Sequence, residues 1–291
     1  MVVFMINFHK YGFLDVKRLK KYIENKDIWL CRYNPVWLFI HSDTYKTEIA
    51  FVFDFCFIRI FLPSVGMTYL QPLGTNLEEG MKILLEDARD KGIEFNMAFV
   101  DEKLYFKMQE LEYNLNLQDN DSSYIFNSSD LAYMNTPNLK KKAKAIHDFE
   151  KKHKNCFYKQ IKKDSFPQIL EFMESYSNEN PKLGVNFYKH LNILKKLMDH
   201  LYELDLYGIM LVEDGKVIGV AIGSIYDNIA QIHFTASILN SYEMLLSSFS
   251  KYVLTRARFI SLEEDLNDEN IKNKLLEFHP YKIEKHYSTY K

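Results

Sequence analysis

The sequence predicts a mixed α/β protein, an α+β arrangement of mixed sheets built as two successive units. Three observations carry this expectation. Residues Leu206 to Ser237 read as a meander of three strands that feeds an amphipathic segment, Asn240 to Arg256. An order of strands, helix, strand, helix, strand in the first half recurs in the second, without evident sequence identity between the halves. Composition then fixes the setting, since 22 Phe and 20 Tyr against 10 Gly and 7 Pro in 291 residues describe a packed globular chain. The first unit is expected over 1–126 and the second over 127–291, the latter including a basic helix at 137–153. A single mixed sheet with helices on both faces is the simpler alternative.

In the first half, Asp15 to Asn25 reads as a helix. Strand-like runs rich in aromatic and β-branched residues follow at Val36–His41, Glu48–Phe53 and Cys56–Leu62. Beyond Met67–Leu70, a helix is expected from Leu77 to Lys91, because Met81, Leu84, Leu85 and Ala88 recur at helical spacing and Gly92 stands where a helix ends. Phe95–Val100 then reads as a strand, Glu102–Glu112 as a helix and Ser123–Phe126 as a short strand.

Between the halves, Asn127 to Thr136 is a polar turn with a short helix. Thr136-Pro137 suits the cap and first turn of the next helix, Pro137 to His153, which turns Leu139, Ala143, Ile146 and Phe149 to one face. Helices at Ser165–Asn178 and Asn186–Glu203 come next. The meander follows, with strands at Tyr207–Val212 and Val217–Tyr226. They are joined by Glu213-Asp214-Gly215-Lys216, whose Asp-Gly pair tolerates the positive φ of a tight hairpin. After the Asn240–Arg256 helix come a strand at Arg258–Leu262, a helix at Asp268–Phe278 and a last strand near Tyr281–Tyr290. The start of the helix after the meander lacks the glycines of a phosphate-gripping turn.

Charge is concentrated in the middle. Residues 139–163 hold ten lysines against Asp148 and Glu150, a local +8 in a chain of net charge −2. Such a block attracts tRNA, a nucleotide cofactor or an anionic lipid headgroup by local potential and counterion release. A solvated helix face explains the same lysines, and no RNP-like aromatic motif or GXXG loop accompanies them. Cys31, Cys56 and Cys156 are dispersed and form no C-x-x-C pair, which argues for a reducing, cytoplasmic setting and against a disulfide framework or thiolate metal site. The apolar start, Met1 to Ile6, stops too early for a signal core, and Ile49–Leu62 is too short to span a bilayer. No metal is expected, because the nine histidines lack helical ligand spacing. G-x-S-x-G, Walker A and G-x-G-x-x-G are absent, which removes serine-hydrolase, P-loop and Rossmann readings.

Four blocks carry a resemblance: Tyr124–Ala132, Leu139–Phe149, Val212–Gly219, and Glu263–Leu266 through Phe278–Pro280. In order and spacing they resemble the C-terminal-domain family of phosphatidylglycerol lysyltransferase, or aminoacyl-phosphatidylglycerol synthase, in a soluble stand-alone form. The resemblance implies two tandem GNAT-like units and a relation to the Fem peptidyltransferases. It further implies transfer of an aminoacyl or acyl group from a tRNA or coenzyme A carrier to an amine or hydroxyl. No tightly bound cofactor is implied, and aminoacyl-tRNA or acyl-CoA would be the donor. Several positions depart from the family pattern. Its Lys-Arg-Asn in the basic helix is Lys142-Ala143-Lys144 here, and its Glu-Lys pair late in the third meander strand is replaced around Phe234-Thr235-Ala236. In its Asn-Arg-Glu-x-Asp-Leu-Gly block the first two residues and the glycine are Ser261, Leu262 and Asn267 here, Glu263 and Asp265 stand, and Lys272 replaces an arginine and Leu275 a basic residue.

Transfer needs a base for the nucleophile and cations for the carrier phosphates. Glu263 and Asp265, two apart at a strand end, are the candidate catalytic carboxylates. Equally, they belong to an acidic cluster at a helix start, where negative charge is favoured. Lys141, Lys142, Lys144, Thr235 and Lys272 are the candidate substrate and phosphate contacts, and the bland reading of the lysines is helix surface. A second class of function stays open: a catalytically degenerate relative that keeps the fold and a pocket but acts by binding a ligand or partner.

Overall fold

A computed structural model describes residues 6–24, 31–111, 118–179, 186–264 and 268–289. The chain divides into two compact units. Unit 1 comprises Met1–Ser123, Glu264–Asp268 and Ile283–Lys291, and unit 2 comprises Tyr124–Glu263 and Glu269–Lys282.

Unit 1 begins with β1 (His9–Lys10), α1 (Phe13–Ile23) and α2 (Pro35–Tyr45). It continues through β2 (Glu48–Val52), β3 (Phe55–Leu62), β4 (Gly66–Leu70), α3 (Leu77–Asp90), β5 (Met97–Ala98), α4 (Glu102–Glu110) and the first half of β6 (Gln118–Asn127). Its sheet runs β1-β2-β3-β4-β5. The first four strands are antiparallel neighbours, and β5 joins β4 in parallel. On one side of this sheet Ala50, Phe57 and Tyr69 pack with Leu84 and Ala88 of α3. The core-facing Leu104 and Met108 of α4 meet Met81, Met97 and Val100.

The stretch Val36–His41, expected as a strand, is helical. Asn34 caps the helix by accepting from the N–H groups of Val36 and Trp37, Pro35 occupies its first turn, and Lys46 closes it in the left-handed region. Val36, Leu38, Phe39 and Ile40 are all buried. A helix enclosed on most sides has no polar stripe, so its apolar run mimics a buried strand, and the Asn-Pro start was the signal to weigh. The strand expected at Phe95–Val100 shrinks to two residues, because the chain leaves β4 immediately after Leu70↔Ala98.

Unit 2 takes up the second half of β6, then α5 (Ser128–Tyr133), α6 (Lys140–Lys152), β7 (Phe157–Gln160), α7 (Phe166–Glu179) and α8 (Asn186–Asp199). The meander follows as β8 (Leu206–Glu213), β9 (Lys216–Tyr226) and β10 (Ile229–Ser237). Then come α9 (Tyr242–Val253), β11 (Phe259–Glu264) and α10 (Glu269–Leu276). β12 (Lys282–Ser288) closes the chain, and from Ile283 it belongs to unit 1. Within unit 2 the strands lie in the order β6-β11-β10-β9-β8-β7. Strands β7 to β10 are antiparallel neighbours, and β11 joins β10 in parallel.

The meander and its hairpin stand where the sequence puts them, with Asp214 and Gly215 both at positive φ. β7 is a strand that the sequence reading passed over; it is short, and all four residues are exposed. Helix α6 turns Phe149 into the core with Ala143 and Ile146 beside it, the face its periodicity predicts, while Leu139 enters the same core from the 3-10 turn Pro137–Leu139 just before. One apolar cluster, from Tyr124 and Phe126 through Ile209, Leu245 and Phe249 to Phe278, forms the centre of this unit.

The two units repeat one order, β-α-α-β-β-β-α-β-α-β, with α5 and α6 inserted between the copies. The pairing sense repeats as well, three antiparallel contacts and then one parallel. This is the mixed α/β architecture, with two mixed sheets, that the sequence predicts.

Candidate functional site

A parallel pair fed by a meander opens where its two strands stop pairing, and open α/β sheets take ligands outside the carboxyl ends of their strands. In unit 2 the parallel register runs Ile229↔Phe259, Ala230↔Ile260 and Gln231↔Ser261. β10 pairs with β9 over its whole length, and its register shifts between Ile232 and Phe234, so His233 sits in a bulge. Gly223 of β9 makes this close fit feasible, because a Cβ there would collide with the Gln231 carbonyl. Bulges re-aim side chains beside sites. Here the His233 Nε2 lies 2.7 Å from the Ser224 hydroxyl. Neither residue was singled out from the sequence; a polar His within an apolar strand was the available signal.

From β10 the chain enters α9 through Leu239 and Asn240, both in the left-handed region at φ 58° and 57°. Ser241 donates its hydroxyl to the Ile238 carbonyl at 2.7 Å. Ser241 is buried, so its hydroxyl stabilises the turn.

One predicted site residue, Lys142, reaches this helix start. Lys142 of α6 reaches Glu243 in the first turn of α9 at 3.3 Å and Glu277, just after α10, at 2.7 Å. Its ammonium also lies 4.4 Å from the centre of the Phe278 ring. Hydrogen bonding to Lys142, together with its charge, lowers the Glu277 carboxyl below the ordinary range. Lys141 and Lys144 are exposed on the same helix. Thr235 is half-buried in β10 opposite Ala221. Lys272 is on α10 and pairs with Glu269 at 3.1 Å, a local helix-surface contact away from the Lys142 cluster's bonds. Glu263 falls within β11, and Asp265 lies outside the described residues. Ile232 and Phe234 of β10 and Leu262 of β11 are buried.

Unit 2 also holds a cavity of about 580 Å³ between α7, the β8–β9 hairpin and the turn leaving β10. Its lining includes Glu171, Glu213, Asp214 and Lys216 beside the apolar Phe172 and Ile218. Glu213 binds the His153 Nδ1 at 2.7 Å, and Asn155 donates to Asp214 at 2.9 Å. Burial, then the Glu213 charge, pushes the nearby Cys156 thiol up to about 11.

The corresponding junction in unit 1 is built differently. After Leu70↔Ala98 the next ladder position would join Gln71 to Phe99. Instead the Tyr33 hydroxyl stands between them, accepting from the Gln71 N–H at 2.9 Å and donating to the Phe99 carbonyl at 2.9 Å. Tyr33 is fully buried, and burial raises its phenol far above the ordinary range, so the proton it donates stays in place. The Gln71 amide then bridges to Asp101 in both directions, at 2.8 and 2.9 Å, while Asp101 caps α4 through Leu104.

Unit 1 contains a second polar assembly absent from the sequence reading. The Asp121 carboxylate meets the His286 Nδ1 at 2.8 Å, and His286 Nε2 meets the Ser123 hydroxyl at 2.8 Å. Arg32 approaches Asp121 at 3.5 Å and lies over the rings of Trp37 and Phe99. Ser123 and His286 are fully enclosed, so this Asp-His-Ser chain is a buried strut between β6 and β12 with no described opening to a substrate. Among the described residues no cluster of His, Cys, Asp and Glu could hold a metal ion, and no helix is long and apolar enough to cross a membrane.

The family model described as phosphatidylglycerol lysyltransferase, C-terminal, matches residues 31–290. A Bacteroides thetaiotaomicron protein of unknown function superposes with a TM-score of 0.87 at 21% identity, covering 98% of this chain and 99% of that one. L-PGS from Bacillus licheniformis gives a TM-score of 0.63 at 9% identity, with 94% and 90% covered. FemX gives 0.61 at 8% identity, with 98% and 97% covered. At these identities the structures share the fold. No curated protein matches the sequence.

Proposed function

We propose, because this chain belongs to the phosphatidylglycerol lysyltransferase C-terminal family, that it is an acyltransferase-like protein that moves an aminoacyl or acyl group from a tRNA or coenzyme A carrier to an amine or hydroxyl. The observation that carries the reading is the parting of β10 from β11 beyond Gln231 and Ser261, beside a helix start without a phosphate loop. An acceptor amine would attack the carrier's ester or thioester carbonyl, lose its proton to a base, and release the carrier hydroxyl or thiol. Glu263, near the end of β11, is the proposed base, and Asp265 is the second candidate carboxylate from the sequence. An ammonium-bearing acceptor would suit the three carboxylates, Glu171, Glu213 and Asp214, that outnumber Lys216 in the lining of the unit 2 cavity. The outer lysines of α6, Lys141 and Lys144 among them, would draw the phosphates of a tRNA or of an anionic lipid.

The direct test is to incubate the protein with charged tRNA or acyl-CoA and a panel of amine, hydroxyl and phosphatidylglycerol acceptors, following label into product. Transfer that is lost in Glu263→Gln supports the reading, and no transfer across the panel overturns it.

One observation favours a second reading, a binding module. Lys142, the innermost cation of the basic helix, is already held by Glu243 and Glu277, and Ile232, Phe234 and Leu262 on the parting strands are buried apolar residues. Salt-dependent association with tRNA or anionic vesicles that persists unchanged in Glu263→Ala and Asp265→Ala, with no transfer, is the outcome that reading requires.

A further inference from the structure

The parallel strands β4 and β5 of unit 1 separate at Gln71 and Phe99, and the Tyr33 hydroxyl prevents them from closing. Outside their carboxyl ends lies a cavity of about 980 Å³, and every residue lining it belongs to unit 1. That volume suits a whole small molecule. One wall is the segment Gln71–Glu78, and its apolar part is Pro72, Leu73 and Leu77. Gly74 lets this wall lie against Phe55, whose ring a Cβ would strike.

The other wall is α4. Lys103, Phe106, Lys107 and Glu110 follow the i, i+3, i+4, i+7 spacing of one helix face, and all four line the cavity, while Leu104 and Met108 enter the core. Two features of this face are unfavourable without an occupant. Phe106 is 55% exposed, a large aromatic ring in water. Lys103 and Lys107 are like charges one turn apart, a destabilising pair on a helix. Lys107 is compensated by Glu110 at 3.2 Å, whereas among the described residues Lys103 has no carboxylate partner. The carboxylates that share the cavity are engaged: Glu78 with Lys82, Asp101 with Gln71 and the start of α4, and Glu110 with Lys107.

We propose that this cavity is a binding site for a small organic anion, a phosphate or carboxylate carried on an apolar or aromatic body. The anionic group pairs with Lys103, and the body lies between Phe106 and the Pro72–Leu73–Leu77 wall. The site goes beyond the transfer reading of unit 2 and stands without it, since none of its residues is shared with that site.

The probe is anilinonaphthalene sulfonate, an aromatic anion whose fluorescence rises on burial, titrated into the full chain. ADP and decanoate serve as competitors that separate a nucleotide phosphate from an acyl carboxylate. One saturable site is expected, displaced by at least one of the two, and weakened tenfold or more in Lys103→Glu and in Phe106→Ser. Both residues are exposed, so folding, checked by circular dichroism, is unaffected, and Lys17→Glu on α1 leaves the affinity unchanged. Absence of a saturable site, binding that neither competitor displaces, or equal affinity in Lys103→Glu overturns the proposal. The transfer assay is a separate measurement, and its failure leaves this titration intact.

Discussion

Replacing Tyr33 by Phe removes a single oxygen and tests how the β4–β5 opening is held. The ring stays and no cavity larger than a hydroxyl is left, so packing loss is minor. Two main-chain groups lose their partner, the Gln71 N–H and the Phe99 carbonyl, both bonded at 2.9 Å to a phenol with no exposed surface. A buried polar group left unsatisfied costs about 1–3 kcal/mol. Allowing for partial relaxation, Tyr33→Phe should destabilise the protein by about 2–4 kcal/mol, and at roughly 2–4 °C per kcal/mol the melting temperature should fall by about 4–16 °C. The measurement is thermal unfolding of the purified full chain followed by circular dichroism, repeated in urea to obtain the free energy. A fall of less than 1 °C would refute the account, because it would mean that the two groups find water or each other at no cost. If they pair directly, the strands have closed, and the cavity outside them should lose affinity for an anionic dye at the same time.

Three further outcomes follow from other contacts. Lys142→Met should cost about 1–2 kcal/mol by removing a partly buried double ion pair and a ring contact, and should let the Glu277 carboxyl rise toward its ordinary range, read by NMR titration. Burial would raise the Asp121 carboxyl, but hydrogen bonding and charge from His286, with Arg32, hold it below its ordinary value. Its stabilisation is therefore present above about pH 4 and lost as pH falls through the depressed value; His286→Ala should start acid unfolding at higher pH and cost about 2–4 kcal/mol at neutrality, and an unchanged acid midpoint would contradict this. Cys156, pushed up to about 11 by burial and Glu213, stays a thiol below that pH, so iodoacetamide should label it slowly at pH 9 and faster in Glu213→Gln.

What the sequence discloses divides by distance along the chain. The hairpin at Asp214-Gly215 and the inward face of α6 are legible because turn chemistry and helical periodicity are local. Helix α2 is misread because burial on most sides erases the polar stripe that would mark it as helical. β7 escapes because its four residues carry no alternation. Long-range pairings are the part that no window of sequence contains. Tyr33 reaches Gln71 and Phe99, and Asp121 and Ser123 meet His286 from more than 160 positions away. Among the predicted site residues, Lys142 gathers partners from two other elements, Lys272 makes only a contact within its own helix, and Thr235 sits on the strand that parts from β11.

One outer strand of each sheet, β1 in unit 1 and β7 in unit 2, bears on how the protein behaves in a crowded solution. An unpaired strand edge is a template for another chain's strand. β1 offers two residues and β7 four, and each carries a lysine, Lys10 and Lys159. Such edges are too short and too charged to accept a partner's backbone ladder, so the exposed aromatics Phe157 and Tyr158 can face water on β7 without turning it into a seed for edge-to-edge aggregation.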